Sequence, residues 1–146
     1  MEQTMKKQTP PPQYITDRDG RRLVRLHVHG SDTPAITEAV LWDNARRRYG
    51  LTGSLYMSDD GKGRRYVTAT VPGTGSHRLL ARLLLDRPRG YRVRYIDKDA
   101  LNLLPENFRL DAPWADESTA AEALTAYLDA ARRDTGAAGA EQGRQA

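Results

Sequence analysis

Apolar and polar residues alternate along the first third of the chain with a period of two. Val24, Leu26 and Val28 alternate with Leu23, Arg25, His27 and His29, so one face of a strand over Arg21 to His29 is apolar and the other mostly basic or imidazole. Tyr14 to Thr16 precedes it across Asp17-Arg18-Asp19-Gly20, a turn composition, and the pair reads as a hairpin. Asp32-Thr33-Pro34 then has the residues of a helix start. Ile36, Val40 and Leu41 supply its buried stripe, and Tyr49-Gly50 its end. Ser54 to Ser58 and Arg65 to Val71 form a second hairpin across Asp59 to Gly63. Ser76 is placed to cap a helix from His77 to Leu85 with Leu79, Leu80, Leu83 and Leu84 on one side. Arg87 to Gly90 is a turn, Tyr91 to Ile96 a strand, Asp97-Lys98-Asp99 a tight turn and Phe108 to Leu110 a return strand. A last helix is expected from Asp116 to Arg133, packing through Leu124, Tyr127, Leu128 and Ala131, with Thr119 and Glu122 spaced as a capping box. No internal repeat is legible.

The ends lack such periods. Residues 1–13 are polar and reach Pro10-Pro11-Pro12, which predicts a flexible arm. Residues 135–146 are rich in Gly, Ala and Gln, which predicts a disordered tail. The folded body is expected over residues 14–134: one small α+β domain with an N-terminal hairpin and helix, a second hairpin, and a strand–loop–strand–helix core.

Composition narrows the chemistry. There is no Cys, which excludes disulfides, thiolate metal sites and a thiol nucleophile. No apolar run is long enough to span a bilayer and no secretory leader is read, so the expectation is a cytoplasmic protein, with nucleoid association open to it and no membrane partner. The net charge of +4 comes mostly from Arg. Arg pairs bidentately with phosphate, which points to nucleic acid, although coding rich in G and C also raises Arg together with Ala. No heptad seam is present, and the oligomeric state stays open.

The segment Val93 to Leu110, VRYIDKDALNLLPENFRL, carries the most specific pattern. It resembles the HNH endonuclease family, the ββα-metal nucleases, in its phage and homing form. Ile96, Leu101, Pro105-Glu106-Asn107 and Phe108-Arg109 fall at that family's spacings, and His77-Arg78-Leu79-Leu80 matches a His-Arg pair that opens a helix upstream. The resemblance covers about Leu55 to Asp116. It implies a ββα-metal core, in which Asn107 is the structural Asn that ties the loop to the hairpin and His77 a structural residue at a helix start.

The chemical positions depart from the family. Its first metal-ligand position is Arg94 and its general-base position Tyr95. A guanidinium cannot ligate a cation, and a phenol with an ordinary pKa near 10 is a poor base at neutral pH. Asp116, near the last ligand position, is a weak metal candidate by itself. Two arrangements stay open: Arg94 paired with Asp116 in place of an ion, or Asp116 capping its helix with Arg94 in solvent. The reading is therefore a degenerate nuclease with no catalytic residues and no cofactor, binding nucleic acid, most readily double-stranded DNA. Arg87, Arg89, Arg92, Arg94, Lys98 and Arg109 are the expected contacts, because they crowd the face that meets DNA in such a core. The alternatives are a metal-dependent endonuclease with a divergent site and a protein-interaction adaptor.

The remaining features carry less. Arg46-Arg47-Arg48 and Lys62, Arg64 and Arg65 fit a solvated surface at least as well as a nucleic-acid contact. Tyr91 and Tyr95 fit packing better than base stacking. His27 and His29 share a strand face without a third ligand. Asp97 and Asp99 fit turn geometry rather than a paired-carboxylate site. The Gly pairs at Gly61, Gly63 and Gly73, Gly75 are hairpin glycines, not a phosphate loop.

Overall fold

A computed structural model describes residues 9–74 and 76–145, with side chains described through Arg133. The chain forms a small α+β domain of strands β1 (Gln13–Thr16), β2 (Arg22–Leu26), β3 (Val28–His29), β4 (Ala35–Glu38), β5 (Leu55–Asp59), β6 (Arg65–Val71), β7 (Ser76–Leu79), β8 (Arg92–Tyr95), β9 (Asn102–Leu103) and β10 (Phe108–Asp111). Its helices are α1 (Ala39–Tyr49), α2 (Leu80–Leu84) and α3 (Glu117–Gln145).

The first sheet has the order β1-β2-β4-β9, antiparallel except where β9 joins β4 in parallel. The second has the order β3-β5-β6-β7, antiparallel except for β3 beside β5. β8 and β10 form a separate antiparallel ribbon in which Tyr95 faces Phe108 and Arg94 faces Arg109. Both expected hairpins are present at the expected turns, but the strand expected over Arg21 to His29 breaks at His27, and Val28–His29 leaves the first sheet to join the second as β3. In the first, the Asp17 carboxylate accepts from the backbone N–H groups of Asp19 and Arg21 at 2.9 Å each.

Two helices start later than the sequence predicts, for one reason. Ala35–Glu38 is strand β4 and His77 lies in strand β7; each helix begins directly from the last strand residue, without a side-chain cap. The backbone groups of 35–38 are taken by β2 and β9, and those of 76–79 by β6. Ladder pairing with neighbouring strands overrides the helix-start signals at Asp32-Thr33-Pro34 and Ser76. The architecture also repeats where the sequence does not. Hairpin β1–β2, strand β4 and helix α1 recur as hairpin β5–β6, strand β7 and helix α2.

The core lies between the sheets and helices, with Leu41 and Trp42 of α1, Leu80, Leu83 and Leu84 of α2, and Val24, Val28, Leu55 and Val67 of the strands fully buried. Helix α3 packs on α1 and on β10 through Ala120, Leu128 and Ala131. Asp116, not Thr119, is its cap: the Asp116 carboxylate accepts the Thr119 N–H at 2.8 Å. The helix extends to Gln145, through the segment where composition predicts disorder. An Ala-rich stretch is a good helix former once a packed helix supplies the nucleus. Residues 1–8 of the expected arm lie outside the described residues, and Gln13 at its end is already paired with Arg25 in β1–β2.

An ion-pair network ties the first hairpin and β4 to the turn before β10 and to α3. Arg21 holds Glu106 through two bonds of 2.8 and 2.9 Å, and Arg132 of α3 holds Glu38 at the end of β4 through two bonds of 2.7 and 3.1 Å. Arg21 also approaches Glu38 at 3.5 Å, linking the pairs.

Candidate nucleic-acid interface

The ribbon β8–β10 and its connection form one wall of the site, and Asn107 fixes that wall. Pro105–Asn107 is a 3-10 turn just before β10, with Asn107 only 5% exposed. Asn107 Oδ1 accepts the Asp97 N–H at 2.9 Å. Its Nδ2 donates to Asp97 Oδ1 at 2.8 Å and to the Asn102 carbonyl at 2.9 Å, while its own carbonyl accepts the Ile96 N–H at 2.8 Å. One side chain thus closes the connection from β8 to β10. Asp97 is held in turn by Asn102 Nδ2 and by the Asp99 N–H, and the Asp99 carboxylate takes the Leu101 N–H. These bonds hold the Asp97 carboxyl below its ordinary pKa, the Asn102 bond first. Asp97 and Asp99 therefore shape the turn.

Opposite this wall stands the tip of hairpin β5–β6. Between them opens a cavity of about 980 Å³. Its cationic lining is Arg64 and Arg65 from the hairpin, Arg82 from α2, and Arg92, Arg94, Lys98 and Arg109 from the ribbon and its loop; Asp99 is the one carboxylate among the lining residues. Met57, Tyr66, Leu79, Val93, Tyr95 and Leu101 give it apolar stretches. Such a concentration of one sign in a concave surface focuses field and attracts polyanions.

The cations differ in freedom. Arg82 is structural: its guanidinium donates to the carbonyls of Tyr91 and Pro88 at 2.6 Å each. Arg94 pairs with Asp111 at 2.8 Å and Arg109 with Glu117 at 3.0 Å, both exposed contacts that solvent weakens. The side chains of Arg64, Arg65, Arg92 and Lys98 have no ion pair among the described residues. Lys98 sits at φ 64°, in the left-handed region, as the turn residue whose N–H meets the Tyr95 carbonyl.

Of the six expected contacts, Arg92, Arg94, Lys98 and Arg109 line this cavity and Arg87 and Arg89 do not. The Arg87 guanidinium lies 5.5 Å from the Tyr49 ring centroid, and the Arg89 N–H meets the Tyr127 hydroxyl. The tight turn at 87–90 places the Arg87 side chain against α1 and the Arg89 backbone against α3. Arg64 and Arg65 complete the cavity although their local sequence fits a solvated hairpin tip equally well. Their proximity to β8 is a tertiary contact across some thirty positions, with no local pattern to announce it. Arg48 is used internally, contacting Asp86 and the Leu83 carbonyl.

The positions compared above with the nuclease family have these surroundings. Arg94 is bonded to Asp111, not to Asp116, because neighbouring strands place 94 and 111 near each other while Asp116 turns to cap α3. Backbone donation from Thr119 leads the causes that hold the Asp116 carboxyl below its ordinary pKa. Tyr95 is largely enclosed, and burial, with Tyr66 second, pushes its phenol up to about 12. No group of three or more His, Asp or Glu able to hold a metal ion occurs among the described residues. The residues at the compared positions do not fit a divalent ion: a guanidinium occupies one and a helix cap the other. His77 is an exposed strand residue bonded to Thr70 at 3.2 Å, not a helix-start residue packed near the core, since β7 claims its backbone. It belongs to a row of rings with His27, His29 and Tyr56.

No family model, no curated protein and no solved structure matches the chain. Among the described residues, no helix is long and apolar enough to cross a membrane.

Proposed function

We propose that this protein binds double-stranded DNA without cutting it, on a scaffold of the ββα-metal type whose catalytic positions have been replaced. The observation that carries the reading is the cavity between the second hairpin and the ribbon, with Arg64, Arg65, Arg92 and Lys98 free to meet phosphates. Backbone contacts of this kind give salt-sensitive binding with little base readout. Arg94 and Arg109 can exchange their exposed carboxylate partners for phosphate at small cost. The order of ribbon, Asn-tied loop and helix supports the scaffold. The group at the compared base position supports the lack of cleavage: the Tyr95 phenol, pushed up to about 12, keeps its proton at neutral pH and cannot accept one from water. Such a protein suits maintenance, protection or regulation of DNA rather than degradation.

The test is fluorescence anisotropy with a labelled duplex over a salt series, paired with supercoiled plasmid incubated in magnesium or manganese. The four unpaired cations alone predict a log–log salt slope of about −3.6, steeper where Arg94 and Arg109 also meet phosphate, and plasmid stays supercoiled. Salt-independent or undetectable binding points instead to an adaptor. Nicking that disappears in Asp116→Ala returns the protein to the metal-dependent endonucleases.

A further inference from the structure

The described residues expose four large hydrophobic side chains, Tyr14, Tyr56, Ile96 and Trp114. The three aromatic ones have intramolecular partners. Tyr14 bonds to Asp43 at 2.5 Å and lies under Arg22; Tyr56 stacks on His29; Trp114 packs on Tyr91 at 4.8 Å. Ile96 is different. It is 62% exposed, and it stands in the cationic cavity between Arg94 and Lys98.

Its backbone is tied by hydrogen bonds on both sides. The Ile96 N–H is held by the Asn107 carbonyl, the following residue is clamped by the Asn107 side chain, and the Lys98 N–H closes the turn onto Tyr95. A β-branched side chain has few rotamers of its own. An apolar projection fixed in this way among cations loses little entropy on meeting a partner.

We propose that Ile96 is a wedge that enters a base step of the bound duplex, unstacking it and bending the DNA, while Arg92, Arg94 and Lys98 hold the flanking phosphates. This rests on the reading of the cavity as a duplex-binding surface. Duplex DNA offers the matching chemistry: anionic edges for the cations, and an apolar base stack that a rigid aliphatic group can part from the minor groove. The preferred sites are flexible pyrimidine–purine steps, because these unstack most easily. Selectivity thus arises from deformability without polar contacts to base edges.

The test uses the full chain and a duplex of about 20 base pairs carrying a fluorophore at each end, with 2-aminopurine beside a central TA step. On binding, end-to-end energy transfer rises and 2-aminopurine brightens. Ile96→Ala binds with no more than about a tenfold loss, leaves energy transfer at the free-duplex level, and no longer brightens 2-aminopurine; Ile96→Met restores both signals. Because the side chain is exposed, circular dichroism of Ile96→Ala matches the parent and separates this loss from misfolding. Salt-sensitive binding with no bend, or a bend unchanged in Ile96→Ala, overturns the wedge and leaves the proposed function standing. No salt-sensitive binding of the parent protein to the duplex overturns both.

Discussion

Asn107→Ala removes the clamp of the β8–β10 connection, and its cost follows from the bonds it breaks. The side chain is buried and serves two backbone groups, the Asp97 N–H and the Asn102 carbonyl, at 2.9 Å each. A net contribution of about 1 kcal/mol per bond gives about 2 kcal/mol for the pair. The third bond, to the exposed Asp97 carboxylate, adds little because water replaces it readily. For a chain of this size that loss lowers Tm by about 6–8 °C, measured by circular dichroism and checked by urea unfolding. The effect also reaches the interface: freed from Asn107, the loop carrying Ile96 and Lys98 loses its fixed geometry, so duplex affinity falls even well below the Tm. Asn107→Asp sharpens the test. It keeps the acceptor for Asp97 N–H but sets a second carboxylate 2.8 Å from Asp97 Oδ1. Repulsion raises the pKa of the introduced group in the folded state, so the variant is weakest near pH 7 and recovers as acid protonates that group. A stability of Asn107→Ala within 0.5 kcal/mol of the parent refutes the idea that this side chain fixes the wall.

Three further outcomes follow from the same structure. Glu106 is held below its ordinary pKa chiefly by Arg21, so its contribution is full above the unfolded carboxyl value and is lost as pH falls through the depressed folded value; Glu106→Gln therefore flattens the acid limb of stability against pH below about 4 and changes little of its slope at pH 7. In a double-mutant cycle, Glu38→Gln and Arg132→Met couple by about 1 to 2 kcal/mol, since Glu38 is 13% exposed and the contact is bidentate; additive urea midpoints contradict this. Gly90 lies at φ 77°, and a Cβ there meets Trp114 Cζ2 at 3.3 Å, so Gly90→Ala costs about 1–2 kcal/mol and changes the tryptophan emission.

What was legible in the sequence had local causes. The turns at Asp17 to Gly20 and Asp59 to Gly63 hold Asp and Gly where side-chain-to-backbone bonds and positive φ are needed, and both hairpins formed around them. Gly50 ends α1 in the left-handed conformation expected of such a Gly. The stripe Leu124, Tyr127, Leu128 and Ala131 packs as its period implies. Strands β4 and β7 were not legible, because Ile36-Thr37 and His77-Arg78 read as helix until β2, β9 and β6 are beside them. The two-residue strand β9 is too short to leave any period. The site divides the same way. Arg92, Arg94 and Lys98 lie near one another in sequence around β8 and Arg109 faces Arg94 across the ribbon, whereas Arg64 and Arg65 reach the site only through packing, and Asp111 takes the partner role that spacing offered to Asp116.

The measurement closest to the central claim compares the salt dependence of duplex binding for the parent protein and for a combined Arg64→Gln, Arg92→Gln, Lys98→Gln variant. Each removed phosphate contact makes the log–log slope shallower by about 0.9, so the account predicts a difference of about 2.7 with folding unchanged. Equal slopes for two folded proteins contradict it.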